Sequence, residues 1–312
     1  MLVSVIIPTY NSGHLIETAI TSVLAQTYTE IELIVVDDGS TDHTRAVVDR
    51  FHTSCTYLSQ THSGPSAARN RGIRHSSGEL IAFLDADDAW RPDKLAVQVA
   101  RFRQSPEVGL LESGYYLCDA RLRPLRYHPP ARLRGRVFED MLSTYNAPNN
   151  STVMVRRQLI DRVGGFDPSF SVLEDYELWL RIAEQTLFEY SDEAFAYTRI
   201  HEGNSLVNGR AILDAHRRIL RRARVTHPGV ASDATEALGA RFALKIMCLH
   251  HQTRDALATA RHAIRSYALR DTYGMYLYLL LLLIPKAWIP RLRAVVASWR
   301  AMGGSCPVRG MG

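Results

Sequence analysis

The chain has 312 residues, of which 46% are hydrophobic and 22% are charged, as is ordinary for a globular protein of one large domain or two. Its four cysteines are scattered and form no Cys-x-x-Cys pair, so the sequence indicates neither a zinc site nor a disulfide framework and fits a reducing compartment. The first seven residues are apolar but lack a basic leader and a cleavage site, and we expect a strand rather than a signal peptide.

The net charge of +5 is unevenly distributed along the chain. Residues 1–198 contain 19 basic and 26 acidic side chains, whereas residues 199–312 contain 18 basic and 6 acidic ones. The basic part could face anionic lipid or nucleic acid, or it could be the solvated surface of arginine-rich helices. Because no recognition motif accompanies these arginines, nucleic-acid binding is disfavoured.

Strands and helices alternate through the first hundred residues. Strands are predicted at Val3–Ile7, Ile31–Val36, Thr56–Ser59 and Leu80–Leu84. Helices are predicted from a cap at Asn11 or Ser12 through Leu24, at Thr44–Phe51, at Ser66–His75 and from Arg91 to Arg103. This order indicates an α/β fold built from βαβ units, with a mostly parallel, Rossmann-like sheet and helices on both of its faces.

Three carboxylates, Asp85, Asp87 and Asp88, follow the strand that ends at Leu84. Such a concentration of negative charge is unfavourable unless a cation relieves it. Mg²⁺ or Mn²⁺ bound by one or two carboxylates commonly also holds the phosphates of a substrate. The pattern therefore predicts a site for a metal and a phosphate, although an acidic turn in water is the alternative.

Two other turns follow predicted parallel strands, Pro8–Asn11 after the first and Asp37-Asp38 after the second. All three turns should open on the same edge of the sheet, because ligands of open α/β sheets bind beyond the carboxyl ends of the strands. The chain has no Gly-x-Gly-x-x-Gly after its first strand and no Walker motif, which disfavours dinucleotide and Walker-type ATP binding. A metal on Asp87 would instead neutralise the phosphates.

The motifs, taken in their order and spacing, resemble the family-2 glycosyltransferases. The resemblance is carried by Val3–Asn11, Val35–Asp42, Ala68–Gly72, Phe83–Asp88, Val163–Asp167 and Glu174–Arg181. It implies a catalytic domain of the GT-A fold over residues 1–208. It also implies transfer of a sugar, with inversion, from a nucleoside-diphosphate donor to an acceptor hydroxyl. UDP-sugar is the expected donor and dTDP-sugar the second choice, and a glycan or lipid-linked acceptor would belong to cell-surface polysaccharide or glycolipid biosynthesis.

The resemblance implies which side chains bind the donor. The nucleotide-binding positions are Pro8, Thr9, Tyr10, Asn11, Asp38, Arg69, Asp85 and Ala86. Asp38 would accept a hydrogen bond from the imide N–H of the base. Arg69 would hold the diphosphate, because its planar guanidinium matches phosphate oxygens, although a surface charge on a helix is the alternative.

The metal site and its surroundings are implied in the same way. Asp87 would bind Mn²⁺ or Mg²⁺, and His201 would join it, because a neutral imidazole is a common metal ligand. A loop histidine at the surface is the alternative for His201. Supporting roles fall to Asp88, Glu174 and Arg199.

Asp175 is the expected general base. The segment Ser171–Glu174 matches a capping box, and Glu177 with Arg181 forms an i,i+4 pair, so the pattern alone indicates only a well-started helix. Asp175 then lies in the first turn, where the helix dipole favours its ionised form. The resemblance identifies this aspartate as the group that takes the proton from the acceptor hydroxyl.

Residues 209–312 are predicted to be a helical C-terminal region, with a disordered tail from about residue 303. A basic helix at Ile212–Val225 precedes further helices between Ala231 and Tyr267. The segment Thr272–Pro285 is uncharged, and its 14 residues are too few to span a bilayer as a helix. It is either a buried core helix or an interfacial helix. The basic residues that follow favour an anionic membrane surface, and hence a cytoplasmic protein peripheral to the inner face of the cell membrane.

Two other functions remain open from the sequence. A nucleotidyltransferase would need a metal and phosphates too, but a glycine-rich basic loop should follow its first strand, and Pro8–Asn11 is not one. A sugar-nucleotide binding protein without catalysis should lack the base, and Asp175 is present.

Overall fold

The computed structural model describes residues 1–144, 146–200 and 209–228, without the side chains of residues 143, 144, 209, 210 and 213. The chain divides into two compact units, Met1–Leu238 and Gly239–Gly312, and every described residue lies in the first. Several predictions concern residues outside this description: His201, the helices between Ala231 and Tyr267, the segment Thr272–Pro285 and the tail from residue 303.

Within the described ranges, nine strands form one sheet. They are β1 Val3–Thr9, β2 Ile31–Asp37, β3 Thr56–Ser59, β4 Leu80–Phe83, β5 Ala89–Trp90, β6 Val108–Cys118, β7 Pro124–His128, β8 Met154–Arg156 and β9 Leu187–Arg199. Their order is β3-β2-β1-β4-β8-β6-β9-β5, and β7 pairs with β6. Strands β1 to β4 are mutually parallel, as βαβ units require, whereas β8 runs antiparallel to both of its neighbours and β9 runs parallel to β6.

Helices connect these strands at positions close to those that the sequence predicts. The α-helices are α1 Ile16–Leu24, α2 Thr44–Val48, α3 Pro65–His75, α4 Lys94–Gln104, α5 Phe138–Thr144, α6 Arg157–Val163, α7 Glu174–Ala183 and α8 Gly209–Thr226, and 3-10 turns lie at Asp49–Phe51 and Asn150–Thr152. The predicted cap of α1 is wrong. Asn11 has a φ of 50° and its side chain binds the backbone N–H of Thr41, so the helix begins only at Ile16.

Helices cover both faces of the parallel part of the sheet. Val3, Val5 and Ile7 pack in one cluster with the apolar stripe of α1. Ile6 points to the opposite face, where α3 lies so close that a Cβ at Gly72 would be 2.5 Å from Ile6 Cγ2. Glycine is therefore required at position 72 for α3 to pack on β1, and the alternation along β1 explains its unbroken apolar sequence.

The start of α7 differs from the prediction. The helix begins at Glu174, directly after Leu173, whose φ of 60° is unusual for a residue other than glycine. Within the described ranges no side chain caps this helix, and Ser171 does not, so the predicted capping box is wrong. Glu174 is the first rather than the third helical residue, and its carboxylate binds Arg69 at 3.0 Å instead of a backbone N–H. A tertiary ion pair thus replaces the local cap.

The basic helix α8 packs on α7. Ile219, Leu220 and Ala223 are buried, and Arg222 Nη1 lies 2.7 Å from the buried carboxylate of Glu177. Glu177 also pairs with Arg181 at 2.6 Å, which confirms the predicted i,i+4 pair. In the described part of the chain, no helix has both the length and the apolar character needed to cross a membrane.

Candidate active site

The loops after β1, β2 and β4 meet at one edge of the sheet. Thr9 is in register with Asp37, and the backbone N–H of Asp38 donates to the carbonyl of Thr9 at 2.8 Å. Phe83, the last residue of β4, is in register with Ile6. The three turns therefore open on the same side, as the sequence predicts.

A cleft of about 1040 Å³ lies at this edge. All eight predicted nucleotide-binding residues line it, as do Asp87 and Arg199. The other predicted residues, Asp88, Glu174 and Asp175, do not line the cleft, and His201 lies outside the described residues. Sequence reasoning missed further lining residues, namely Ser12, His14, Leu15, His62, Pro65, Ala68, Ala120 and Ile200. Of these residues, only His62 could have been suspected from the sequence, because it lies shortly before the Ala68–Gly72 motif.

The two aspartates after β2 have different surroundings. Asp37 is buried, accepts from Tyr57 Oη at 2.7 Å and from the Ser40 N–H at 2.8 Å, and so fixes the turn. Asp38 lines the cleft, and its carboxylate accepts from the N–H groups of Ser63 and Gly64, both at 2.8 Å. The loop between β3 and α3 therefore sets the orientation of the Asp38 carboxylate.

Two further groups surround the Asp38 carboxylate, Gln60 Nε2 at 2.7 Å and His62 Nδ1 at 2.9 Å. A carboxylate has about four acceptor positions, so a base that hydrogen-bonds to Asp38 must displace one of these side chains. The ring of His62 also stacks on Tyr10, with centroids 4.2 Å apart. The hydroxyl of Thr9 is buried in the same wall and has no hydrogen-bond partner among the described residues, which leaves a polar atom available to a ligand.

Arg69 connects the acidic loop after β4 to helix α7. Its guanidinium is buried and donates to Asp85 Oδ1 at 2.8 Å and to Glu174 Oε1 at 3.0 Å. The alternative of a surface charge is therefore wrong for Arg69. The proposed diphosphate contact remains a prediction, and Arg69 lines the cleft while holding two carboxylates from distant parts of the sequence.

The acidic loop Asp85–Asp88 is held by contacts with the end of β9. Asp88 is buried and accepts from the backbone N–H of Arg199 at 3.1 Å and from Thr198 Oγ1 at 3.2 Å. Arg199 Nε donates to the carbonyl of Asp87 at 2.8 Å. Burial, together with the negative charges of Asp85 and Asp87, holds the pKa of the Asp88 carboxyl well above its usual range. Asp88 and Arg199 thus shape the loop that presents Asp85 and Asp87.

The segment Asn150–Thr152 supports the same loop. The side chain of Asn149 caps this turn by accepting from the Ser151 N–H at 2.9 Å. Ser151 Oγ in turn accepts from the Asp85 N–H at 3.2 Å, and its carbonyl accepts from Trp90 Nε1 at 2.6 Å.

The side chains at the cleft suit a hard divalent cation. Asp85 and Asp87 are partly exposed and line the cleft, and they offer the oxygen ligands that Mg²⁺ and Mn²⁺ prefer. Among the described residues, no three His, Cys, Asp or Glu side chains converge on a metal position. Such a cation would therefore complete its coordination with water and with oxygen atoms of a ligand, as Mg²⁺ commonly does.

Asp175 follows Glu174 at the start of α7. Its Oδ1 accepts from the Tyr176 N–H at 2.7 Å. Burial, and then the negative charge of Glu174, raise the pKa of the Asp175 carboxyl to about 7. A carboxyl with this pKa can exchange a proton near neutral pH, which a general base requires.

Comparison with known proteins identifies the family. The profile of the family "Glycosyl transferase family 2" matches residues 4–168, more than half of the chain. The chain belongs to this family. A relative from Escherichia coli, the UDP-Glc:alpha-D-GlcNAc-diphosphoundecaprenol beta-1,3-glucosyltransferase WfgD, is 34% identical over 183 residues, covering 58% of this chain and 69% of the relative. The chain spans 64–66% of the length of three further relatives, glycosyltransferases from two Rickettsia species and a Nostoc species.

Solved structures share the fold. TarS 1-349 of S. aureus, in complex with UDP-GlcNAc, has a TM-score of 0.61 at 20% identity, covering 83% of this chain and 75% of that one. The mannosyltransferase PcManGT of Pyrobaculum calidifontis, in complex with GDP-Man and Mn²⁺, has a TM-score of 0.60 and covers 97% and 88%. Both the predicted family and the predicted GT-A fold are confirmed.

Proposed function

We propose that this glycosyltransferase transfers a sugar from a UDP-sugar to a hydroxyl of a lipid-linked glycan, with inversion, during cell-surface polysaccharide biosynthesis. One observation carries the proposal: a single cleft collects all eight predicted donor residues and two carboxylates suited to a metal. Two comparisons support it, since WfgD is named for a UDP-Glc donor and a diphosphoundecaprenol acceptor, and TarS was solved with UDP-GlcNAc.

In the proposed reaction, Asp175 takes the proton of the acceptor hydroxyl while the oxygen attacks the anomeric carbon. Its raised pKa makes it a stronger base than an ordinary aspartate. Arg69 holds Asp85 and Glu174 in place between the cleft and α7, and thereby orients the donor side of the site relative to the base. Asp38 and Thr9 bind the base of the nucleotide.

Asp87 is the proposed metal ligand, with Asp85 beside it and His201 as a further candidate. A bound Mn²⁺ or Mg²⁺ supplies positive charge that stabilises the departing diphosphate. The Mn²⁺ in the PcManGT complex supports the choice of metal. Arg199 and Asp88 keep the backbone of the Asp87 loop in one conformation.

The substitution Asp87→Ala tests the metal site. We expect UDP binding by the parent protein to strengthen when Mn²⁺ is added and to weaken when a chelator removes it. Asp87→Ala should abolish this enhancement, because it removes the oxygen ligand that faces the cleft. Calorimetric titration with UDP, with and without Mn²⁺, measures the effect. The matched control is Asp49→Ala, which changes an exposed aspartate that follows α2 and does not line the cleft. Equal enhancement in the Asp87→Ala variant would remove Asp87 from the metal site.

A donor panel tests the proposed reaction. Slow hydrolysis to free nucleoside diphosphate, assayed with UDP-, dTDP- and GDP-sugars and Mn²⁺, should be fastest with a UDP-sugar. Because Asp38 is expected to bind the imide edge that uracil and thymine share, dTDP-sugars should come second. Hydrolysis of a GDP-sugar alone would contradict the proposed base pocket. Binding without hydrolysis of any donor would favour a sugar-nucleotide binding protein.

The proposed location follows from the acceptor and from the charge of the chain. A lipid-linked acceptor lies in a membrane, and residues 199–312 contain 18 basic side chains against 6 acidic ones. We infer a cytoplasmic protein that binds the anionic inner face of the cell membrane.

A further inference from the structure

Three tyrosines form one row across neighbouring strands beside the cleft. Tyr116 on β6 is in register with Tyr127 on β7 and with Tyr197 on β9. The rings of Tyr116 and Tyr197 are nearly parallel, with centroids 6.0 Å apart, and the rings of Tyr116 and Tyr127 are 5.9 Å apart at a steep angle. These three residues, called here the tyrosine row, place their side chains on the same face of the sheet.

The ring of Tyr127 is held across β6. A Cβ at Gly114 would lie 2.8 Å from Tyr127 Cε2, so the absence of a side chain at position 114 lets the ring rest against the strand. The hydroxyl of Tyr127 donates to the carbonyl of Asp192 on β9. Although both ends of this side chain are fixed, 39% of the residue remains exposed, and Tyr116 and Tyr197 are also partly exposed. The row is therefore a preformed aromatic surface rather than core packing.

The tyrosine row is adjacent to one residue of the cleft wall, Arg199. Tyr197 precedes Arg199 by two positions, so the two side chains share a face of β9 and are separated by roughly 7 Å along the strand. Arg199 lines the cleft and binds the carbonyl of Asp87. The neighbouring strand β6 repeats this arrangement. Cys118 is in register with Arg199, and Tyr116 lies two positions before Cys118. The tyrosine row therefore lies next to Arg199 in the cleft wall, although none of the three tyrosines lines the cleft itself.

We propose that the tyrosine row binds a pyranose ring of the acceptor glycan. This inference rests on the proposed function, because it assigns the acceptor side of the same site. A pyranose chair has a face of C–H groups that complements the electron-rich face of an aromatic ring, and hydroxyls at its rim that suit phenolic oxygens. Aromatic side chains that are already ordered bind such a ring with little loss of conformational freedom.

The experiment uses two simple sugars as probes, methyl α-D-glucopyranoside and methyl N-acetyl-α-D-glucosaminide, with saturation-transfer NMR on the full chain. We expect at least one of them to bind the parent protein. Binding should weaken roughly tenfold in Tyr116→Ala and in Tyr197→Ala, because a ring contact is lost. Tyr116→Phe keeps the ring face and loses only the phenolic oxygen, so it should bind much more tightly than Tyr116→Ala.

The matched control is Tyr190→Ala, since Tyr190 lies on β9 but against Arg134, away from the row. It should leave sugar binding unchanged. Tyr127 is exposed on the outer strand β7, so Tyr127→Ala should fold even if Tyr116→Ala does not. It should weaken sugar binding in the same way, because it also removes a ring of the row. UDP binding by every variant should equal that of the parent.

Failure of this inference differs from failure of the proposed function. If the parent hydrolyses a UDP-sugar but neither probe sugar binds, or all variants bind the probes equally, the tyrosine row is not an acceptor site. If UDP binding falls with sugar binding in Tyr116→Ala and Tyr197→Ala, the row serves the donor, and the inference is overturned. If the parent neither binds nor hydrolyses a nucleotide sugar, the proposed function itself is wrong.

Discussion

At the scale of single residues, Asp175 is the side chain on which turnover should depend most. Asp175→Asn keeps the size of the side chain but removes the base. We therefore expect turnover to fall by about 10²–10⁴, the usual contribution of a general base. The affinity for UDP should change little, because Asp175 does not line the cleft proposed to bind the donor. Steady-state kinetics and calorimetry measure both quantities, and turnover within about threefold of the parent would contradict the assignment.

The pKa of Asp175 gives a second prediction, for the dependence of rate on pH. A base acts in its deprotonated form, and burial raises the pKa of this carboxyl to about 7. The value of kcat/KM should therefore rise about tenfold per pH unit below pH 7 and level off above it. The profile is measured with saturating Mn²⁺, and a flat profile from about pH 5 to 8 would show that no group with the raised pKa acts as the base.

Contacts between residues that are far apart in the sequence could not be predicted from it. The loops Pro8–Asn11 and Asp85–Asp88 could be placed together because each follows a short apolar strand, and that pattern is local. The partners of Arg69 lie 16 and 105 positions away, and nothing in the local pattern indicates them. Lys94 is a similar case: its side chain is fully buried against Trp90, a position that the residue type alone would not suggest.

At the scale of elements, the packing of α8 on α7 depends on one shared carboxylate. Glu177 binds Arg181, which is buried, and Arg222, whose side chain is 55% exposed. Arg181 also donates to the carbonyls of Val163 and Gly165, both at 2.7 Å. The carboxylate therefore joins two helices to the loop that precedes α7.

This arrangement predicts that replacing Glu177 destabilises the protein much more than replacing Arg222. Glu177→Ala leaves the buried guanidinium of Arg181 without its counter-ion and should lower the free energy of unfolding by about 3–5 kcal/mol. Arg222→Ala removes a largely solvated partner and should cost under about 1 kcal/mol. Urea denaturation of the two variants provides the comparison. Equal losses would mean that the energy lies in the contact between the helices and not in the buried pair.

Strands and helices with a regular hydrophobic pattern were predicted well. A helix end that depends on tertiary contacts was not. The apolar run of β1 and the apolar stripe of α1 predicted those elements to within a few residues. The start of α7 was misjudged because the ion pair of Glu174 with Arg69 outweighs a local cap. The mixed second half of the sheet could not be deduced either, since β8 pairs with two strands that are far from it in sequence.

At the scale of the whole molecule, we expect attraction to anionic membranes. Arg221 and Arg224 are exposed on α8, on the side away from its buried residues. Each basic residue near an anionic surface contributes about 1 kcal/mol, and salt screens this attraction. The protein should co-sediment with phosphatidylglycerol vesicles more than with phosphatidylcholine vesicles, and raised salt should reduce the difference.

A matched pair of variants locates that attraction. Replacing Arg221 and Arg224 with serine should weaken sedimentation, whereas Arg45→Ser, at an exposed position on α2, should not. Unchanged sedimentation of the double variant would assign the attraction to residues outside α8. Equal binding of the parent to both vesicle types would contradict an electrostatic contact altogether.

The position of β5 in the sheet determines when the site can be completed during synthesis. Among the described strands, β5 pairs with β9 alone, and Arg199 at the end of β9 holds the Asp87 carbonyl. The ribosome makes about 5–20 residues per second, so the roughly one hundred residues between the two strands take about 5–20 s. During that interval β1 to β4 can already pair. The loop Asp85–Asp88, however, still lacks its contact with Arg199, and β5 still lacks its partner β9. The emerging chain therefore carries the carboxylates of the proposed metal site in an unfinished loop until β9 has left the ribosome.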